Sequence, residues 1–169
     1  INISKKATNL AIKKCGVDVI IGDIGKDIQE YIESKELFID NKLVKLKSIR
    51  SVTGHKILPY IIHADKFVPN FNYSYNERML ENEYYAIEPY VSTGHNETID
   101  SLDVSHYCIN THNLLNKNYI RPKLNNKESE LYNKILKFRD TLPFSKRWLK
   151  ENNFNNFRLH LFNLIKKKE

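Results

Sequence analysis

Two cysteines, five glycines, one methionine and one tryptophan among 169 residues deny this chain the raw material of several protein classes. Cys15 and Cys108 are too few and too far apart for a disulfide framework or a zinc ribbon, and they read as reduced structural thiols. The scattered glycines build no phosphate-cradling loop. No apolar run approaches the roughly 18 residues of a membrane-spanning helix, and the start Ile1-Asn2-Ile3-Ser4-Lys5-Lys6 lacks the hydrophobic region of a signal peptide. No membrane partner is expected, and the expected setting is the cytoplasm. Internal repeats are absent. The asparagine-rich stretches 72–76 and 152–156, with the high lysine count, look like base-composition bias more than function.

What the chain does have suits a folded domain. A hydrophobic content of 41% and a charged content of 28% are ordinary for a protein with a real core. The net charge of +7 invites a nucleic-acid reading, but 21 of the 27 basic residues are lysine, mixed with 20 acids, and only Lys166-Lys167-Lys168 forms a run. Specific readers of nucleic acid concentrate arginine and stacking aromatics in one patch, so a solvated basic surface is the better reading and no specific nucleic-acid partner is expected.

The residues most suggestive of chemistry are His55, His63 and Glu88. Imidazole nitrogen and carboxylate oxygen are the donors a hydrolytic metal centre needs, and Glu88 lies in the apolar run Tyr84-Tyr85-Ala86-Ile87-Glu88-Pro89-Tyr90. An unpaired carboxylate in such a run would cost several kcal/mol, so a metal ion or a strong hydrogen-bonding partner is expected. One straight strand from residue 55 to residue 63 would hold the two histidines roughly 26 Å apart, and a helix about 12 Å apart. Gly54 and Pro59 offer a bend instead, through unusual dihedrals and a fixed φ, which would turn both imidazoles to one cleft.

Around these residues stand Cys15-Gly16-Val17-Asp18-Val19, Asp23-Ile24-Gly25, Ile28-Gln29-Glu30, Ile49-Arg50, Gly54-His55, Ile62-His63-Ala64, Val68-Pro69, Tyr85-Ala86-Ile87-Glu88, Ser92-Thr93-Gly94, Ser105-His106-Tyr107 and Arg147-Trp148-Leu149. In order and spacing they resemble the type 2 methionine aminopeptidases, members of the pita-bread family of dinuclear metallohydrolases. The resemblance implies an α+β fold: residues 1–106 as part of a catalytic pita-bread domain, and 107–169 as the helical insertion subdomain that marks type 2 enzymes. It implies removal of the N-terminal methionine from nascent peptides by two divalent ions, cobalt, manganese, iron or zinc. The ribosome is an added partner that a basic surface suits. His55 and Glu88 take the places of metal ligands. His63 takes that of the histidine that meets the substrate carbonyl, and Ile62 and His106 line the pocket for the methionine side chain.

The family's centre has five ligands, of which His55 and Glu88 match two. The family places two aspartates upstream of the segment like Ala7-Thr8-Asn9-Leu10-Ala11-Ile12, and a last glutamate downstream in a Phe-Glu-His pattern. The 81 residues after Glu88 lack that pattern, as expected for type 2, and the chain begins with Ile1. A fragment of a longer enzyme is therefore expected, inactive and prone to associate by itself. Thr53, Leu58, Pro59 and Pro89 depart from the family's usual residues without touching the ligands. The alternative is a non-catalytic pita-bread relative that binds RNA or proteins, and retention of His55 and Glu88 argues against it.

Periodicity predicts helices over 4–14, with Ser4 as a cap, and over 24–34 behind Asp23, with Ile24, Ile28, Tyr31 and Ile32 on one face. A hairpin is expected around Asp40-Asn41, and a strand over 83–91 with Tyr84, Ala86 and Glu88 on one face. Further on, 110–118 reads as a loop. Leu131, Ile135 and Phe138 mark a helix signalled by Asn126 and Glu128, Ser145 caps another holding Trp148 and Leu149, and 154–165 reads as a third. His95, His112 and His160 are expected at the surface.

Overall fold

A computed structural model describes residues 1–101, 104–110, 122–154 and 156–167. The chain is α+β and divides into two compact units, Ile1–Asp100 and Ser101–Glu169. Among the described residues no helix is long and apolar enough to cross a membrane.

The first unit is built on two helices, α1 (Asn2–Lys14) and α2 (Ile21–Glu33). Ile21, Ile24, Ile28 and Ile32 recur at helical spacing on α2, and all four are buried against Ala7 and Ala11 of α1 with Leu46, Val68 and Met79. Each isoleucine so buried contributes about 2 kcal/mol of apolar transfer energy. Tyr31 packs at the margin of this core and is only partly buried. Gly25 is needed where α2 presses on the segment beyond Val68: a Cβ there would stand 2.6 Å from the Phe71 carbonyl oxygen. The caps differ from expectation. Ile1 and Ile20 precede the helices without side-chain caps, and Ser4, one turn inside α1, donates its hydroxyl to the Pro89 carbonyl at 3.3 Å.

The hairpin forms as read, with β1 (Glu36–Ile39) antiparallel to β2 (Lys42–Lys45) and Leu37 opposite Val44. Asp40 and Asn41 carry φ of 47° and 59°, the double left-handed turn that matches strand twist. β3 (Lys47–Ser48) pairs with β7 (Val91–Ser92). The sheet that matters for the site has β4 (Gly54–Ile57) at its centre, antiparallel to β5 (Phe67–Val68) on one side and β6 (Tyr84–Ala86) on the other. The strand expected over 83–91 is therefore short. It leaves the ladder at Ala86, before Pro89, whose ring cannot donate a ladder hydrogen bond.

In the second unit β8 (His106–Tyr107) pairs with β9 (Phe144–Ser145) across the intervening helix α3 (Asn126–Arg139), and α4 (Lys146–Glu151) and α5 (Phe157–Lys166) follow. Asn125 is the true cap of α3, one residue ahead of the expected signal. Its side chain accepts from the Glu128 amide while Glu128 accepts from the Asn125 amide, both at 2.9 Å. Ser145 caps α4 as expected, accepting from the Trp148 amide at 3.1 Å. Leu131, Ile135, Phe144, Leu149, Leu161 and Leu164 form the core. Phe138 lies on its helix as read but is exposed, while the third helix starts at Phe157 and not at 154, and His160, expected at the surface, is half-buried. The expected loop over 110–118 lies, but for Asn110, outside the described residues, as does His112.

Candidate functional site

The bend between the histidines exists, by a route other than the glycine. No glycine among the described residues has a positive φ. The chain turns after β4, where Leu58 and Ile61 bridge to each other and Tyr60 takes the left-handed conformation at φ 61°. Pro59 sits inside that turn. Gly54 serves close approach instead: a Cβ on it would lie 2.3 Å from the Ala86 carbonyl oxygen, so only glycine lets β4 and β6 pair here. The return brings the His55 and His63 rings to 4.3 Å between centroids, edge to face at 72°.

His55 lies opposite Ala86 and Phe67 in the ladder and is buried, 8% exposed. Its Nε2 points at Glu88 Oε1, 3.4 Å away, while its Nδ1 faces the Lys56 carbonyl oxygen at 3.4 Å. A proton on Nδ1, directed to that carbonyl, leaves the Nε2 lone pair facing a carboxylate lone pair. Two acceptors so placed call for a cation between them, a proton or a metal ion. Nitrogen and oxygen each about 2.1 Å from one ion are separated by about 3.0 Å at an octahedral angle and about 3.4 Å at a tetrahedral one, so the observed separation fits a shared divalent ion. His63 is exposed beside the pair, and Ile62 is half-buried.

Glu88 is less buried than its apolar neighbours suggest, with its side chain 37% exposed. Its second oxygen accepts from the Tyr90 hydroxyl at 2.9 Å, and this bond, more than burial, raises the Tyr90 pKa. The need of the carboxylate for a partner is thus met in part by a phenol. Its backbone is also held: buried Asn70 donates its amide to the Glu88 carbonyl at 2.8 Å and to the Val52 carbonyl at 2.9 Å, tying the approach to β4 to the segment after β6. Asn70 went unread in the sequence because both of its bonds are to backbone, 18 residues away in each direction.

The other face of the sheet carries the charges that sequence reasoning missed. Lys56, next to His55 but turned away from it by strand alternation, reaches Glu83 Oε1 and Asp65, each at 2.9 Å. Lys66 reaches the same Glu83 oxygen at 2.9 Å, and Tyr85 donates to Glu83 Oε2 at 2.6 Å. Burial opposes the charge on Glu83, yet the hydrogen bonds from Tyr85, Lys66, the Leu80 amide and Lys56 together hold its carboxyl well below the usual range. Tyr85 is pushed up in turn, first by burial and then by that bond. An apolar cavity of about 430 Å³ lined by Cys15, Met79, Glu83, Tyr85 and Ile87 does not include His55, His63 or Glu88.

Among the described residues no group of three or more histidine, cysteine, aspartate or glutamate side chains is placed to hold a metal. His55 and Glu88 are a pair, with His63 adjacent. His106 belongs to the second unit, where it is exposed and its Nδ1 lies 2.8 Å from the Ser105 hydroxyl.

Comparison with known proteins places these observations. Residues 1–138 match the model of metallopeptidase family M24. The chain is 40% identical over 162 residues to a methionine aminopeptidase 2 of Puccinia graminis f. sp. tritici, covering 95% of this chain and 34% of that protein. It is 39% identical over 145 residues to one from Dictyostelium discoideum, covering 86% of this chain and 32% of that protein. It is 38% identical over 161 residues to one from Yarrowia lipolytica, covering 95% and 33%. The chain thus spans about a third of the length of these curated relatives. A solved structure of a thermophilic Arx1 shares the fold, with a TM-score of 0.52 over 72% of this chain and 32% of that one at 14% identity.

Proposed function

Because the chain belongs to metallopeptidase family M24 and carries part of its pita-bread fold, we propose that it supplies one side of the metal centre of an aminopeptidase that removes N-terminal methionine. The observation that supports this most is the convergence of His55 Nε2 and Glu88 Oε1 at 3.4 Å, with Nδ1 of the imidazole turned to a backbone carbonyl. A divalent ion takes that donor set when the imidazole proton sits on Nδ1.

In this reading His55 and Glu88 hold the ion, and Tyr90 and Asn70 keep Glu88 aimed at it through one bond to its carboxylate and one to its backbone. The bound metal supplies Lewis acidity for peptide hydrolysis. His63, exposed beside His55, donates to the carbonyl oxygen as negative charge grows there. Assignment of Ile62 and His106 to recognition of the methionine side chain rests on family resemblance, as does a count of two ions. Two donors do not satisfy an ion that takes about four to six, so the remaining ligands are assigned to the part of the relatives this chain does not span. A cytosolic setting near ribosomes goes with the same reading and with the net charge of +7.

The test is made on the complete protein with its metal. Met-Ala and Met-Gly peptides are expected to be cleaved and Met-Lys spared, with His55→Ala or Glu88→Ala abolishing turnover and lowering metal content. Full turnover and normal metal content in either variant would refute the assignment. A well-folded complete protein that takes up no metal would support the non-catalytic relative instead.

A further inference from the structure

Glu83, Lys56 and Lys66 lie on the face of the β5–β4–β6 sheet opposite the candidate metal ligands, and we infer that they form an ionic clamp that positions His55, His63 and Glu88. The clamp spans all three strands. Lys56 belongs to β4, Lys66 immediately precedes β5, and Glu83 immediately precedes β6. Their side chains are 13%, 9% and 10% exposed, so the contacts are shielded from solvent. Glu83 Oε1 is shared by both ammonium groups at 2.9 Å, and Oε2 takes Lys66 at 3.0 Å, the Leu80 amide at 2.8 Å and Tyr85 at 2.6 Å. Both carboxylate oxygens are therefore saturated, which is what makes a buried ion cluster tolerable.

The path from clamp to site is short and covalent. Lys56 follows His55 directly, and its backbone receives the Ala64 amide at 3.0 Å, the residue after His63. Lys56 also donates its own amide to the Lys66 carbonyl at 2.8 Å, closing the loop that carries His63. Glu83 leads into β6, which ends two residues before Glu88. Removing the carboxylate leaves two ammonium groups facing each other across β4 and β5. Lys66 keeps only the Arg78 carbonyl, at 2.8 Å, and Lys56 keeps the exposed Asp65. Repulsion there opens the sheet from the side opposite the histidines, and the loop bearing His63 moves with it. Glu83 is thus a positioning residue, since it touches neither His63 nor the ligands.

The catalytic meaning of the clamp rests on the reading of His55 and Glu88 as metal ligands, but its geometry is testable without metal. In the complete protein freed of metal, proton NOEs between the His55 and His63 rings report their 4.3 Å approach. Glu83→Gln is expected to abolish those NOEs and weaken Zn²⁺ binding at His55 at least tenfold, while methyl resonances of Ile28 and Leu46 stay where they are. Tyr85→Phe, which removes one hydrogen bond and no charge, is expected to keep the fold and weaken Zn²⁺ about threefold. Should Glu83→Gln unfold, Tyr85→Phe decides alone. NOEs and Zn²⁺ affinity unchanged in a folded variant would overturn the clamp. Lost NOEs in a protein whose wild-type form binds no Zn²⁺ would uphold the clamp and reject the metal reading.

Discussion

Glu83 in the first unit and Glu128 in the second are both shielded carboxylates held by lysine, and the two serve different ends. Glu128 stands in the first turn of α3, where it returns a bond to the Asn125 amide and takes Lys167 at 2.6 Å and Asn163 at 3.0 Å from the far helix. Lys167 first, and the Asn125 amide second, hold its carboxyl below the ordinary range. It closes a helix end and pins a second helix to it. Glu83 caps nothing. It joins three strands through two lysines and a tyrosine, and on the reverse face His55 meets Glu88 and His63. A capping carboxylate can be lost with a frayed helix end, whereas a shared counter-ion leaves behind two shielded charges of one sign, buried Lys66 and half-buried Lys56.

The largest expected effect follows from that difference. Glu83→Ala should destabilise the first unit by about 3–5 kcal/mol, the usual consequence of stranding a buried charge. Hydrogen exchange of the α1 and α2 amides would report it. Trp148, the only tryptophan, lies in the second unit, so its fluorescence transition should not move; a shift of both together would show that the units do not respond separately.

Acid should act on both units. Glu83 and Glu128 titrate lower in the folded chain than the roughly 4.3 of an unfolded glutamate, so their stabilisation is complete above that pH and is lost as pH falls below it. Denaturant midpoints should be flat from about pH 7 to 5 and drop below about 4. Glu83→Gln should remove part of the drop from the first unit alone. An equal pH profile in variant and parent would contradict the assigned direction.

Smaller changes sharpen the contrast. Asn125→Ala removes one cap bond from α3 and should cost about 1 kcal/mol, read by Trp148 fluorescence, with the first unit untouched. Asp65→Asn removes the solvent-exposed partner of Lys56 and should leave hydrogen exchange in the first unit unchanged, because exposed pairs contribute little. A large effect there would move the centre of the clamp from Glu83 to Asp65.

Local signals make much of this legible in the sequence. The isoleucine spacing of α2, the Asp40-Asn41 turn, the Ser145 cap and the Glu128 signal at the start of α3 each depend on residues within one or two turns of each other. The capping glutamate was legible for that reason. Glu83 was not, since its lysines lie 17 and 27 residues upstream and only the strand register makes them neighbours. The near approach of His55 to His63 could be foreseen as a bend, but not its agent. The left-handed residue is Tyr60, and the glycine serves backbone contact with Ala86. The strand expected to carry Glu88 ends at Ala86, yet irregular chain still delivers its carboxylate to His55, the partner of Ala86 in the ladder.

The central claim is that His55 and Glu88 form the donor pair for a divalent ion, and paramagnetic NMR tests it most directly. Mn²⁺ added to the metal-free complete protein should broaden the ring protons of His55 first and those of His63 next. Glu88→Gln should abolish that selectivity, while Glu128→Gln should not. Broadening that is weakest at His55, or that survives unchanged in Glu88→Gln, would contradict the account.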